Sequence, residues 1–255
     1  MKSFWIALSM YSKLPAHQVE WDEKSLSWAL CWFPAVGAAS GLLLWGWFRL
    51  SARLGVGSAL FAAGALLLPI LVSGAIHLDG FCDTCDALSS HQSRERKLEI
   101  LKDSHTGAFA IICCGLYLLV FFAAWTEVRP AGRVGAVLAL GPVLSRSLSG
   151  LFAASLPNAR GRGLLAAFTQ PMDGAKARVI LGLWTAACAA AMVLLDMGAA
   201  LAALTGAALV CCYYVIMSRR QFGGITGDLA GFFLQLCELA MVLCTALAQK
   251  VEVLV

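Results

Sequence analysis

The sequence predicts an all-α, polytopic integral membrane helical bundle of about seven transmembrane helices, with an acidic cytoplasmic helical segment between spans 2 and 3. Three observations carry this. Of the 255 residues, 60% are hydrophobic and only 13% charged, with a mean hydropathy of +0.79, whereas ordinary globular chains carry about 25% charged residues. The apolar residues are grouped in runs of roughly 20, the length that crosses a bilayer core as a helix. Lys and Arg are concentrated in alternate connections. Such a composition excludes disorder, and a compact soluble domain would leave too much apolar surface in water. The net charge of +4 is small and gives no indication of a nucleic-acid partner.

The chain starts MKSFWIALSMYSKLP. Polar residues and Pro15 follow its short apolar stretch where a signal peptide would have a cleavage site. Spans are expected at 29–48, 57–76, 108–126, 134–153, 179–196, 199–217 and 229–248. The fifth and sixth are separated by a very short turn around Asp196–Gly198, which predicts a tight hairpin. Gln235 and Glu238 interrupt the seventh. Small residues recur within spans, as at Gly37–Gly41, Ala62–Gly64 and Gly198–Gly206, and read as close helix packing. Most of the ten cysteines lie in apolar runs, where a thiol behaves as a small hydrophobe. The Cys82-x-x-Cys85 spacing has no second pair in a neighbouring loop to complete a zinc site. No repeat or linker divides residues 1–255, so they read as a single integral membrane domain.

With seven spans, the N-terminus and the loops near 77–107, 154–178 and 218–228 share one side. Thirteen of the nineteen Lys and Arg residues lie there, against Arg49, Arg53, Arg129, Arg133 and Lys250 opposite. The richer side is expected to be cytoplasmic. Arg146 falls inside a span, where it either binds an anion or pairs with an acid.

Segment 77–107 holds Asp79, Asp83, Asp86, Glu95, Glu99 and Asp103, six of the fifteen acidic residues. Asp79, Asp83 and Asp86 are spaced i, i+4, i+7 and share one helix face. Three carboxylates on one stripe beside hydrocarbon need a compensating cation, and hard oxygen ligands suit Mg²⁺ or Mn²⁺. Such an ion keeps waters and meets substrate phosphates through one or two carboxylates. The segment then turns basic at Arg94, Arg96, Lys97 and Lys102, with Leu98 and Leu101 as the expected buried face of an amphipathic helix. Arginine suits bidentate phosphate contacts. Asp103 reads either as a helix terminator or as a further metal or general-base carboxylate. Far along the chain, RRQFGGITGD places Gly223, Gly224 and Gly227 for close backbone approach to a ligand, with Asp228 at the start of the last span. Glu238, three turns further, is an intramembrane acid and a functional candidate. The residues point to a divalent-metal-dependent site handling phosphates.

At these residues the chain resembles cobalamin synthase, the adenosylcobinamide-GDP ribazoletransferase family (CobS). The family pattern H-x-D-G-x-x-D-x-x-D reads here as His77 to Asp86. The later I-M-K-D-S-x-x-G reads as Ile100-Leu101-Lys102-Asp103-Ser104-His105-Thr106-Gly107. G-G-x-T-G-D matches Gly223 to Asp228, including Thr226 and Gly227, and the acid that follows matches Glu238. F-P-x-x-G matches Phe33 to Gly37. T-R-x-P becomes Ser12-Lys13-Leu14-Pro15, and the change of Arg to Lys removes any bidentate contact there.

The resemblance implies an Mg²⁺-dependent transferase of the bacterial or archaeal cytoplasmic (inner) membrane, with Mn²⁺ as an alternative ion. A hydroxyl of α-ribazole or its 5′-phosphate attacks the cobinamide-linked phosphorus of adenosylcobinamide-GDP, and GMP leaves. The partners implied are these small-molecule substrates and the lipid bilayer, without nucleic acid; a homo-oligomer is compatible. Asp79, Asp83, Asp86, Asp103 and Asp228 become the catalytic and metal-binding carboxylates, joined at the metal by Glu238. His77, Arg94, Arg96, Lys102, Ser104, Arg219, Gly223, Gly224, Thr226 and Gly227 become substrate contacts. Two other readings are a CDP-alcohol phosphatidyltransferase, whose Ala-Arg pair is missing after Asp79-Gly80, and a cation-coupled transporter, which would set its acids near the bilayer midplane.

Overall fold

The apolar runs form helices because a backbone surrounded by hydrocarbon must satisfy its own hydrogen bonds. The computed structural model describes residues 1–103, 105–130 and 132–254. Within them the α-helices are α1 (Lys2–Tyr11), α2 (Glu23–Ala29), α3 (Phe33–Leu54), α4 (Ser58–Ser73), α5 (Ile76–Ser89), α6 (Arg94–Ile100), α7 (Ala108–Glu127), α8 (Val134–Ala139), α9 (Gly141–Ala153), α10 (Leu164–Thr169), α11 (Gly174–Leu195), α12 (Met197–Met217) and α13 (Gly227–Leu254). A 3₁₀ turn joins α2 to α3, and a π turn at Ser218–Phe222 follows α12.

Among the described residues, six stretches are long and apolar enough to cross a membrane: Glu23–Leu54, Ala108–Glu127, Val134–Ala153, Gly174–Leu195, Met197–Phe222 and Gly227–Glu252. The second expected span, 57–76, differs. Instead of running straight to residue 76, α4 stops at Ser73 and α5 leaves at 94°. Gly74 (φ 61°) caps α4 in the left-handed region, and Ala75 (φ 63°) is left-handed too. Two such residues in succession cannot propagate a right-handed helix. The 134–153 span is jointed at Leu140, with Pro142 in the first turn of α9. The α11–α12 hairpin is as tight as expected. Asp196 ends one helix and caps the next, accepting from the Ala199 N–H at 3.0 Å.

Small residues set the helix crossings. A Cβ on Gly37 would lie 2.3 Å from Pro142 O, and one on Gly41 2.1 Å from Ala139 O, so α3 lies directly on the α8–α9 joint. Gly206 meets Ala240 O in the same way where α12 crosses α13. The outer faces of α11 and α12 expose Val179, Leu183, Leu194, Leu201 and Leu209, side chains suited to lipid rather than water.

Arg146, 2% exposed, lies inside this apolar bundle. Its Nη1 reaches Glu238 Oε1 at 2.6 Å and Pro142 O at 3.1 Å, and Ser145 Oγ donates to the same carboxylate oxygen at 2.8 Å. Of the two sequence readings of Arg146, the pairing with an acid is the one formed. Tyr117 donates to Gln235 one turn away. Removing one member of a buried pair leaves an uncompensated charge, at a cost of about 3–5 kcal/mol. Glu238→Ala is therefore expected to lower the thermal unfolding midpoint in detergent by well over 5 °C, and Glu238→Ala with Arg146→Met to recover most of that loss. An unchanged midpoint in the single variant would show that the pair does not hold the bundle.

Candidate active site

The acidic helix is placed by a glycine contact. A Cβ on Gly80 would lie 2.7 Å from Asp228 O and 2.9 Å from Asp228 Cα; one on Gly231 would lie 2.8 Å from His77 O. With no side chain at either position, α5 lies against the first turn of α13. Phe81 stacks on Phe232 at 5.5 Å on one flank and meets Tyr117 at 4.8 Å on the other. The crossing brings Asp79 and Asp83 to Asp228, far along the chain, so that Asp83 has Asp79, Asp228 and Arg160 as charged neighbours.

Two loops close over this point. Gly224 has Pro157 O where a Cβ would be, at 2.2 Å. That fit lets the backbone pair like short parallel strands: Ile225 N–H donates to Pro157 O at 2.9 Å and Ala159 N–H to Ile225 O at 2.9 Å. Asn158 Oδ1 accepts from the N–H groups of Arg160 (3.0 Å) and Gly161 (3.1 Å), folding its loop back on itself. Thr226 Oγ1 accepts from Leu229 N–H at 3.2 Å and so caps α13.

These elements enclose a cavity of about 160 Å³. Its polar wall is formed by His77, Asp79, Asn158, Arg160, Thr226 and Asp228, with Arg162 at its edge, and its apolar wall includes Tyr11, Leu30, Phe33 and Leu165. Arg160 Nη2 lies 2.9 Å from Asp228 Oδ2, yet the N–H is not aimed along that line, so this is a charge contact rather than a formed hydrogen bond. Asn158 Nδ2, Arg160 Nε and His77 Nε2 are buried and have no hydrogen-bond partner among the described residues. Buried polar atoms are ordinarily satisfied. Unsatisfied nitrogens on three residues that line one cavity, with Arg162 on the same wall, describe a receptacle for an oxygen-rich anion.

The structure distributes the expected site residues unevenly. His77, Asp79, Thr226, Gly227 and Asp228 line the cavity, and Asp83 adjoins it. Asp86 turns to the start of α7, its carboxylate resting on Gly107, where a Cβ would lie 2.1 Å from Oδ1. There it complements the helix dipole. Arg94 lies on Gly223 (φ 78°), which ties α6 to the glycine loop. Arg96 pairs with Glu99 at 2.7 Å on the surface, and Lys102 and Arg219 are exposed. Asp103 accepts from the His105 N–H (3.0 Å) and contacts its ring, and these bonds hold its carboxyl below the usual carboxylate range; it does not line the cavity. Leu101, at the end of α6, is buried as expected, but Leu98 is only half-buried and Lys97 is buried instead, donating to Gln221 at 2.5 Å. Glu238 is ten residues beyond Asp228, about 15 Å along the helix, and is taken up by Arg146. Ser104 lies outside the described residues.

Asn158 and Arg160 are the residues that sequence reasoning passed over, counting the arginine only as loop charge. The signal was the run Pro157-Asn-Ala-Arg-Gly-Arg-Gly163, an Asx turn followed by glycine-separated arginines. Among the described residues, no three carboxylate, histidine or cysteine side chains are already close enough to hold a metal ion by themselves. The hard oxygens of Asp79, Asp83 and Asp228 nevertheless fit an ion that is completed by waters and substrate phosphate.

A family model described as CobS, cobalamin-5-phosphate synthase, matches residues 3–246. The adenosylcobinamide-GDP ribazoletransferase of Lachnoclostridium phytofermentans is 40% identical over 251 residues, 98% of this chain and 95% of that protein. The protein of the same name from Pseudomonas putida is 38% identical, covering 97% and 99% of the two chains. That of Clostridium perfringens strain 13 is 33% identical over 95% and 96%. No solved structure matches the chain.

A hydrogen bond to a charged group contributes about 1.5–3 kcal/mol. Arg160→Met is accordingly expected to weaken a diphosphate-bearing ligand by roughly 10- to 100-fold, with the thermal midpoint nearly unchanged because the loop is anchored by its backbone. Isothermal titration in detergent reads this directly, and an unaltered Kd would remove Arg160 from the anion site.

Proposed function

Because the chain belongs to the CobS, cobalamin-5-phosphate synthase, family, we propose that the cavity between α5, α13 and the 157–163 loop is where it joins its two substrates. The protein is an adenosylcobinamide-GDP ribazoletransferase, a multi-pass membrane enzyme of cobalamin biosynthesis. The observation that carries the assignment of the site is the set of unpartnered buried nitrogens on His77, Asn158 and Arg160, residues that line one cavity with Asp79 and Asp228.

In this reading the diphosphate of adenosylcobinamide-GDP enters the cavity. Arg160 and Arg162 hold its oxygens, Asn158 donates to one of them, and His77 contacts another from the floor. The ribose hydroxyl of α-ribazole, or of its 5′-phosphate, attacks the cobinamide-linked phosphorus. The bond from that phosphorus to the bridging oxygen breaks, GMP departs and the new phosphodiester forms. Asp79 or Asp228 accepts the hydroxyl proton. Bound at Asp79, Asp83 and Asp228, Mg²⁺ (or Mn²⁺) would neutralise diphosphate oxygens and stabilise the departing GMP. The cavity is smaller than the roughly 300–1,000 Å³ of drug-sized pockets, so it takes the reacting phosphates while the macrocycle stays outside. The thirteen-to-five bias in Lys and Arg supports a site facing the cytoplasm from the inner membrane.

GMP release by the purified protein in detergent, from adenosylcobinamide-GDP and α-ribazole, tests this reading. Turnover is expected to stop on chelation and to return with Mg²⁺. Asp79→Asn, Asp83→Asn and Asp228→Asn are each expected to lower kcat by about 100-fold or more. Asp103→Asn and Asp86→Asn are expected to do less. Full turnover by all three of the first set would reject the carboxylate site, and metal-independent turnover would reject the ion.

A further inference from the structure

We infer that the junction of α6 with the π turn binds the phosphate head of an anionic glycerophospholipid, whose acyl chains lie along the exposed face of α12, and that Lys97 is its central contact. Among the described residues two cations are buried, Arg146 (2% exposed) and Lys97 (6% exposed). Arg146 has the carboxylate of Glu238. Lys97 has only the neutral amide of Gln221, to whose Oε1 it donates at 2.5 Å. A buried charge is costly unless a group of opposite sign accompanies it, and folded proteins pair such groups. The anion that completes Lys97 comes from outside the chain.

Three further cations belong to the same junction. Arg94, one turn before Lys97 on α6, lies over Gly223, with Nη1 2.8 Å from where a Cβ would be. Arg219 and Arg220 are exposed on the π turn directly before Gln221. The nearby acids of α6 do not neutralise this cluster. Glu95 turns to Ser93 at the start of the helix, and Glu99 is taken by Arg96. None of the four cations lines the reactive cavity, so the cluster is not a second wall of the diphosphate site.

The surroundings select a lipid over a soluble phosphate. The π turn closes the membrane-crossing stretch Met197–Phe222, which puts its charges at the level of the headgroups. Basic clusters directly at the end of a span recruit anionic lipid there. Leading up to the turn, Leu209, Tyr213 and Ile216 are exposed. Their i, i+4, i+7 spacing sets them on one face of α12, an apolar stripe for acyl chains. Tyr213 supplies the amphipathic ring common at the membrane interface. Arg220 follows one turn beyond Ile216. An apolar stripe that ends in cations matches the polarity of a phospholipid from tail to head. The bound head would join α6 to the turn that leads into the Gly223–Asp228 loop, and so brace that loop from the membrane side.

The test needs no turnover, so its outcome is independent of the proposed reaction. Full-length protein in nonionic detergent is titrated with phosphatidylglycerol or with phosphatidylcholine of the same chains, and the thermal unfolding midpoint is recorded. A ligand that binds only the folded protein raises that midpoint. Phosphatidylglycerol is expected to raise it at a mole fraction at least about 10-fold lower than phosphatidylcholine. Removing two charges in Arg219→Gln with Arg220→Gln is expected to increase the half-effect mole fraction about 25-fold, and Lys97→Met to increase it roughly 10- to 100-fold. Arg53→Gln, an exposed charge at the far end of α3, is expected to leave it unchanged. The double variant changes only exposed side chains and decides the matter even where Lys97→Met fails to fold. Equal responses to the two lipids would overturn the inference, as would an undiminished phosphatidylglycerol response in the double variant. Glycerol 3-phosphate acting as well as the lipid would assign the cluster to a soluble phosphate and overturn the lipid site.

Discussion

Everything at the candidate site depends on how closely α5 approaches α13. Gly80 lies against the backbone of Asp228, and Gly231 against the carbonyl of His77. At either place a methyl group would sit 2.7–2.8 Å from a backbone oxygen, well inside van der Waals contact. In hydrocarbon there is little hydrophobic drive to press helices together, so such contacts rely on small residues and close packing. The aromatic flank of Phe81, Tyr117 and Phe232 then fixes the rotation of α5, which decides that the acidic stripe faces Asp228 and not lipid. Without that rotation the carboxylates would be an unpaired charge cluster beside the membrane.

A second constraint operates at the loop end. The 157–163 and 223–228 segments are irregular backbone near the membrane, and their N–H and C=O groups need partners. They supply them to each other through two short hydrogen bonds across the Gly224–Pro157 contact, and Asn158 and Thr226 satisfy further N–H groups. Having met their backbone needs in this way, the loops leave Asn158 Nδ2 and Arg160 Nε without a partner among the described residues. The Arg146–Glu238 pair serves the opposite purpose deeper in the bundle. It neutralises a charge within the protein and leaves it unavailable to anything else.

Six of the seven expected spans, the hairpin at Asp196 and the packing role of the small residues were legible in the sequence. A bilayer asks for a fixed length of apolar helix, and that requirement is written locally, residue after residue. The acidic stripe was legible for the same reason: i, i+4, i+7 spacing is a property of one helix. Asp228 was recognisable from its glycine-rich surroundings, and the family could be identified from the order of these motifs.

What only the tertiary structure decided is which of these charges meet. Glu238 belongs to Arg146, 92 residues earlier, and not to the acids of α5. Asp86 turns to Gly107, and Arg96 to Glu99. Arg160, one charge among thirteen on its side, reaches Asp228 because a glycine lets its loop dock. The 94° turn after α4 depends on a left-handed alanine following a left-handed glycine, a conformation that alanine rarely adopts and its neighbours impose. The sequence by itself determined the helices, because their cause lies within each segment. The partners of the charges and the break before α5 came from contacts between segments distant in the chain, which no local pattern records.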